Sequence, residues 1–280
     1  MKKYLLLKLS IPIILLLVFS CKKSPEFNIH ADDIDFQIEA DYIGFMCPGM
    51  PQTAVKIADK IGQIMNYGDG VYGGIFVAAL YSEAYFDTSI INIINNALLS
   101  IPAESDYAKI VKDVIKLHDH NPSDWRAAWK ELEAKWGNVD ICGAGDPFKI
   151  DAKLNGGYIV MGLLYGDGDT EKTMEISTRC GQDSDCNPSN AMAVLGVIKG
   201  LNGLPKEYQD AVSAIGDTLF INTDYNFNKA VENTLKYAKD LIVKDGGKQE
   251  GKEINIMLQE PVAPALAVAF PDLVFNSRHF

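Results

Sequence analysis

The segment Val71 to Tyr85 reads Val-Tyr-Gly-Gly-Ile-Phe-Val-Ala-Ala-Leu-Tyr-Ser-Glu-Ala-Tyr and offers water almost no polar face. A helix of this kind is stable only when other elements surround it on most sides, so the chain must build its fold around a central helix. The flanking sequence supplies suitable neighbours. Ala54, Val55, Ile57, Ala58, Ile61, Ile64 and Met65 recur at three- and four-residue intervals from Pro51 onward, which gives one apolar face. Tyr107, Ile110, Val111, Val114, Ile115 and His118 share a second face, opened by Ser105 and closed at Asn121-Pro122. Ser89 or Asp87 caps a helix running to Ser100, and Ser123 opens one carrying Trp125, Trp129, Leu132 and Trp136, with Gly137 at the position of a left-handed cap. Helical periodicity returns at Asp151–Tyr165, Thr170–Arg179, Pro188–Leu201, Pro205–Ile215 and Phe227–Val243. Nothing between Pro51 and Val243 alternates as strands do. The expected fold is an all-α, orthogonal multi-helix globule followed by a polar Gly/Lys stretch. Beyond it, Ile254, Ile256 and Leu258 alternate, and three prolines, Pro261, Pro264 and Pro271, keep the tail irregular or at a sheet edge.

Composition excludes several classes. With 48% hydrophobic and 22% charged residues over 280 positions, disorder is ruled out and one large domain or two small ones can form. The net charge is -11, and Met1 to Cys21 hold three lysines and no acids, leaving 23 basic against 37 acidic residues. Such a surface repels nucleic-acid phosphates and anionic lipid.

Lys2, Lys3 and Lys8 precede an apolar run from Leu9 to Phe19, the layout of a secretory signal, and the run is too short to span a bilayer, which needs about 20 residues. Val18-Phe19-Ser20-Cys21 resembles a bacterial lipobox, with Cys21 as the lipidated residue. The expected organisation is a lipoprotein signal at 1–21, a linker at 22–31, a helical domain at 32–250 and an extended tail at 251–280, in a chain exported to the cell envelope and held by its lipid alone. Cys47, Cys142, Cys180 and Cys186 remain, and they read mainly as small buried hydrophobes, since a chain this large needs no disulfide framework.

The chemistry is concentrated in Arg179-Cys180-Gly181-Gln182-Asp183-Ser184-Asp185-Cys186-Asn187-Pro188. Asn187 suits an N-cap and Pro188 a first helical residue, so Asp183 and Asp185 fall on the turn feeding a helix. Two carboxylates one residue apart can aim at one point, and hard oxygens at that spacing suit Mg²⁺ or Ca²⁺. Gly181 permits close backbone approach to a ligand.

The segment Gly181 to Pro188, followed by Ala191-Met192-Ala193-Val194-Leu195-Gly196, resembles the C-terminal motif of the ADP-ribosylglycohydrolase family. Asp32-Asp33-Ile34-Asp35-Phe36-Gln37-Ile38-Glu39-Ala40-Asp41 and Asn66-Tyr67-Gly68-Asp69-Gly70 are similar to segments of exported, lipoprotein-type members. The resemblance covers roughly Asp32 to Leu258. It implies an all-α fold and Mg²⁺-dependent hydrolysis of an N- or O-glycosidic ADP-ribosyl linkage, on a modified protein or a small adduct. It also implies catalytic and metal roles for Asp183 and Asp185, with Cys186 standing where the family usually has a Thr or Ser oxygen ligand. Gly181, Gln182, Asn187, Asp69, Tyr67 and Glu39 are the expected substrate-side residues. The family's Thr-Asp-Asp half-site is expected to be missing from this chain, with Asp32, Asp33 or Asp35 as conceivable substitutes. A chain deprived of it would be a non-catalytic ligand-binding or structural module.

Other candidates are weaker. His118 and His120 cannot share a helix face, and His118 lies on an apolar stripe. The spacing of the three tryptophans favours packing over a sugar platform. Tyr165-Gly166-Asp167-Gly168-Asp169-Thr170 begins like a calcium loop but lacks the glutamate at position twelve, and reads as a turn and cap.

Overall fold

A computed structural model describes residues 28, 30–139 and 150–267. The signal sequence, Cys21, Cys142 and the end of the tail lie outside the described residues. The described chain is helical throughout its body: α1 (Asp35–Glu39), α2 (Asp41–Met46), α3 (Pro51–Gly62), α4 (Asp69–Ala84), α5 (Ile90–Leu98), α6 (Asp106–His120), α7 (Trp125–Trp136), α8 (Ala152–Gly166), α9 (Thr170–Arg179), α10 (Cys186–Lys199), α11 (Lys206–Ile215) and α12 (Phe227–Lys244). A small antiparallel hairpin, β1 (Lys248–Glu250) and β2 (Glu253–Asn255), pairs Gln249 with Ile254.

The apolar segment around Val71 becomes α4, and α3, α2, α1, α5, α10 and α8 all pack on it. A second centre is α8, of which every residue is buried and which α6, α9 and α10 surround. Helices approach closely because glycines face partners. A Cβ on Gly74 would meet the Phe36 ring at 2.3 Å, and one on Gly156 would meet the Tyr107 hydroxyl at 2.1 Å. The tryptophans pack as their spacing suggests: Trp136 is buried, and Trp129 Nε1 donates to the Cys180 carbonyl at 2.8 Å. His118 sits edge-on to Tyr165, with ring centroids 4.9 Å apart.

Two local expectations change. Gly137 ends α7 with φ −61°, a right-handed conformation, and its N–H closes the last turn on the Glu133 carbonyl. Asp124, one residue later than Ser123, caps α7 by accepting from Ala127 N–H. The tail after β2 is irregular but anchored: Gln259 N–H donates to Gly49 O and its Oε1 accepts from Thr53 N–H, while Ala267 N–H donates to the Tyr72 hydroxyl at 2.6 Å. Among the described residues no helix is long and apolar enough to cross a membrane.

Candidate functional site

The acidic stretch at Asp32 is wrapped over the start of α4 by Asn66. This fully buried amide donates to the carbonyls of His30, Ala31 and Asp33 and accepts from Phe36 N–H at 3.0 Å. Tyr67 N–H adds a bond to Ala31 O at 2.7 Å. Gly68, at φ +58°, turns the chain into the helix, and at Gly70 a Cβ would meet Ala31 O at 2.5 Å, so the close approach needs glycine. The same stretch is stitched to the start of α8. Ile34 N–H donates to Ile150 O, Ala152 N–H donates to Asp32 O, and Asp33 bridges Asp151. Two segments far apart in sequence thus meet where two core helices begin.

Lys153 lies inside this junction. Its ammonium is 2.9 Å from Asp151 Oδ1 and 3.6 Å from Asp32 Oδ2, and the side chain is 1% exposed. Burial works against the charge, but Asp151 and Asp32, with Asp69 further off, outweigh it and hold Lys153 above the usual lysine range. Asp69, at the first position of α4, accepts from Tyr107 N–H at 3.1 Å. Burial pushes its carboxyl up to about 6, against the pull of Lys153. Both Asp32 side-chain oxygens are buried and, among the described residues, accept no hydrogen bond.

Asn155, two residues after Lys153, connects this cluster to the Asp183 turn. Its Nδ2 donates to Asp151 O at 2.8 Å and to Gln182 Oε1 at 2.7 Å, and its Oδ1 accepts from Asp183 N–H at 3.2 Å and Asn187 Nδ2 at 2.7 Å. All four bonding positions of the amide are used. Gly181 at φ +99° and Gln182 at φ +51° shape the turn, and the left-handed Gln182 is held by its bond to Asn155.

The turn delivers Asp183, Asp185 and Cys186 to one place, with one ligand atom from each lying within 4.8 Å of the others. Asp183 is buried, Asp185 exposed and Cys186 half-buried, so the cluster opens to solvent on one side. Burial raises the Asp183 carboxyl, and the hydrogen bond to Asp183 lowers that of Asp185. Burial and the adjoining Asp183 push the Cys186 thiol up to about 12.

The cap differs from the sequence expectation. Asp185 is the N-cap and helix α10 begins at Cys186, whose N–H is shared between Asp185 Oδ1 at 3.0 Å and Asp183 Oδ1 at 3.2 Å. Asn187 cannot cap because its amide is drawn inward to Asn155, which leaves it fully buried on the first turn.

Gly181, Gln182, Asp183, Asp185, Cys186 and Asn187 are therefore one cluster, and Asp69 belongs to the neighbouring charge cluster about Lys153. Tyr67 is half-buried at the edge of the Asp32 wrap. Glu39 is exposed at the end of α1 and does not join the bonded network among the described residues. The carboxylate from that region that reaches α10 is Asp41. Its Oδ1 accepts from Tyr81 OH at 2.6 Å and from Asn190 Nδ2 at 2.7 Å, one helical turn beyond Asn187, and burial raises its carboxyl. Of the proposed substitutes, Asp32 and Asp33 are buried in the junction, while Asp35 is exposed.

Sequence reasoning missed Lys153, Asn155 and Asp41. The first two carried a signal, because they are the strongly polar residues in Ala-Lys-Leu-Asn-Gly-Gly-Tyr-Ile-Val-Met-Gly-Leu-Leu-Tyr-Gly, where burial on all sides demands partners. Asp41 carried none.

The family model described as ADP-ribosylglycohydrolase matches residues 22–243. The chain belongs to the ADP-ribosylglycohydrolase family. Comparison with curated proteins and with solved structures returned no match. An ADP-ribosylglycohydrolase is typically metal-dependent, and the Asp183, Asp185 and Cys186 donor set fits a divalent cation, with two carboxylates, a thiol and an open side. A separate apolar cavity of about 770 Å³, lined among others by Phe45, Tyr85, Phe227, Val231, Leu235 and Ile256, contains none of these residues.

Proposed function

We propose that this ADP-ribosylglycohydrolase cleaves an N- or O-glycosidic ADP-ribosyl linkage, on a modified protein or a small adduct, using a divalent cation held by Asp183, Asp185 and Cys186. The observation that carries the reading is the convergence of those three side chains on an open turn whose far side is fixed by Asn155. A bound cation supplies positive charge for the diphosphate-ribose and an acidified water near the anomeric carbon. The chain contributes the rest. Asp185 is exposed and its hydrogen bond to Asp183 holds its carboxyl below the usual range, so it can accept a proton or hold charge, while burial raises Asp183. The start of α10 adds the positive end of a helix dipole beneath an anionic substrate. Gly181 and Gln182 border the opening, and Asn187 anchors the turn to Asn155.

The resemblance implies Mg²⁺ as the ion, export as the address and a lipid on Cys21 as the link to the membrane. The signal-like start and the acidic remainder support that address.

The test is release of ADP-ribose from a modified peptide in the presence of divalent cations. Asp185→Ala loses a cap worth about 1 kcal/mol and should stay folded, yet lose turnover by 100-fold or more, on the order seen when catalytic electrostatics are removed. No release by the parent chain with Mg²⁺, Mn²⁺ or Zn²⁺ overturns the hydrolase reading in favour of a binding module.

A further inference from the structure

Resting on the reading that Asp183, Asp185 and Cys186 hold a cation, we infer that this centre takes a thiophilic divalent ion, of the Zn²⁺ or Co²⁺ class, and discriminates against Mg²⁺ through Cys186. The donor chemistry is the first ground. Mg²⁺ demands about six oxygens in near-octahedral array, whereas a thiolate with two harder donors and one open position is the arrangement of a catalytic zinc site. The three ligand atoms already lie within 4.8 Å of one another, and the exposed side of Asp185 leaves the fourth position to water or substrate.

The second ground is where the nearby oxygens are committed. Asn155 Oδ1 accepts two hydrogen bonds, and Gln182 Oε1 is taken by Asn155 Nδ2. Asp41 Oδ1 is held by Tyr81 and Asn190. Asp32 and Asp151 face Lys153, whose ammonium is the cation of that cluster. Apart from Asp41, these acidic residues are thus divided into two groups. One is served by a lysine fixed in the fold, and the other is left with a sulfur in its donor set. A further oxygen, Asn187 Oδ1, is buried one residue beyond Cys186 and has no hydrogen-bond partner among the described residues. Uptake of the ion forms a metal–sulfur bond and releases the thiol proton to solvent, with no change of oxidation state.

The test uses the full chain and Co²⁺ as a spectroscopic probe, followed by competition between Zn²⁺ and Mg²⁺. The parent should show a near-ultraviolet sulfur-to-cobalt charge-transfer band at one equivalent, displaced by Zn²⁺ but not by millimolar Mg²⁺. Cys186→Ser should lose the band while keeping its helical circular dichroism, and the preference for Zn²⁺ over Mg²⁺ should narrow by about tenfold or more, the size of effect expected when one ligand is altered. Cys186→Asp, on the same half-exposed first turn, should lose the band and strengthen Mg²⁺ binding. A parent that binds Co²⁺ without the band, a preference unchanged in both variants, or no binding of either ion overturns the inference. A parent with the band that releases no ADP-ribose leaves it standing and removes the hydrolase reading.

Discussion

Lys153 is the side chain whose loss the fold can least absorb. It has 1% exposure and faces Asp151 and Asp32, so Lys153→Met would take its ammonium away from both buried carboxylates. Breaking a buried ion pair from one side costs about 3–5 kcal/mol, and urea denaturation should show a loss of that order. A loss below about 1 kcal/mol would mean that the carboxylates reach water. Asp69 gives a prediction of opposite sign. Its carboxyl is raised by burial from 3.8 to about 6, so between these values the native state holds a proton that the unfolded chain has released. Stability contributed by this group is therefore lost as pH rises through that window, and the whole penalty is present above it. Asp69→Asn keeps an acceptor for Tyr107 N–H and removes the charge. It should be more stable than the parent at pH 8 by about 1–3 kcal/mol, and the gain should shrink towards zero near pH 4. A gain that grows on acidification would contradict the assignment.

Three elements, α4, α8 and α10, are apolar on nearly every side, and each begins at a carboxylate: Asp69 in the first turn, Asp151 as N-cap and Asp185 as N-cap. The positive end of each helix thus meets a carboxylate, and negative charge is favoured there. Their packing depends on glycine. Gly156→Ala would place a methyl against the fully buried Tyr107 hydroxyl, and overpacking of this kind costs about 1–3 kcal/mol, readable as a fall in Tm. Of these helices, α4 was legible in the sequence because its interior is nearly all apolar, and α8 and α10 because helical periodicity runs between Gly, Asn or Pro breaks. The cap of α10 was not, because Asn187 is a good cap in isolation and only the bond to Asn155, a residue 32 positions away, turns it inward. Asp41 was hidden for the same reason, since its partner Asn190 lies 149 positions along the chain. Local patterns therefore pointed to the helix that carries the candidate cluster, and long-range hydrogen bonds decided which side chains face it. Glu39 and Asp41 are two residues apart, and the bonds from Tyr81 and Asn190 to Asp41 distinguish them.

Across the whole molecule, packing is uneven. Helix α11 has no buried residue, and the stretch from Ile215 to Val243 exposes Leu219, Phe220, Ile221, Val231 and Leu235. Backbone bonds with so little covering open at low cost. Amides in 206–215 should exchange with deuterium orders of magnitude faster than those in α4 or α8, and equal protection would show that α11 is covered in solution. The reactive turn belongs to the opposite extreme. It stands on the first turns of the molecule's own beams, with no independent flap among the described residues to melt ahead of them. Heat should therefore end any ion binding at this turn at the temperature where α4 and α8 melt, whatever the uncovered 206–215 helix has already lost, so that a fold with intact beams but a ruined turn never accumulates.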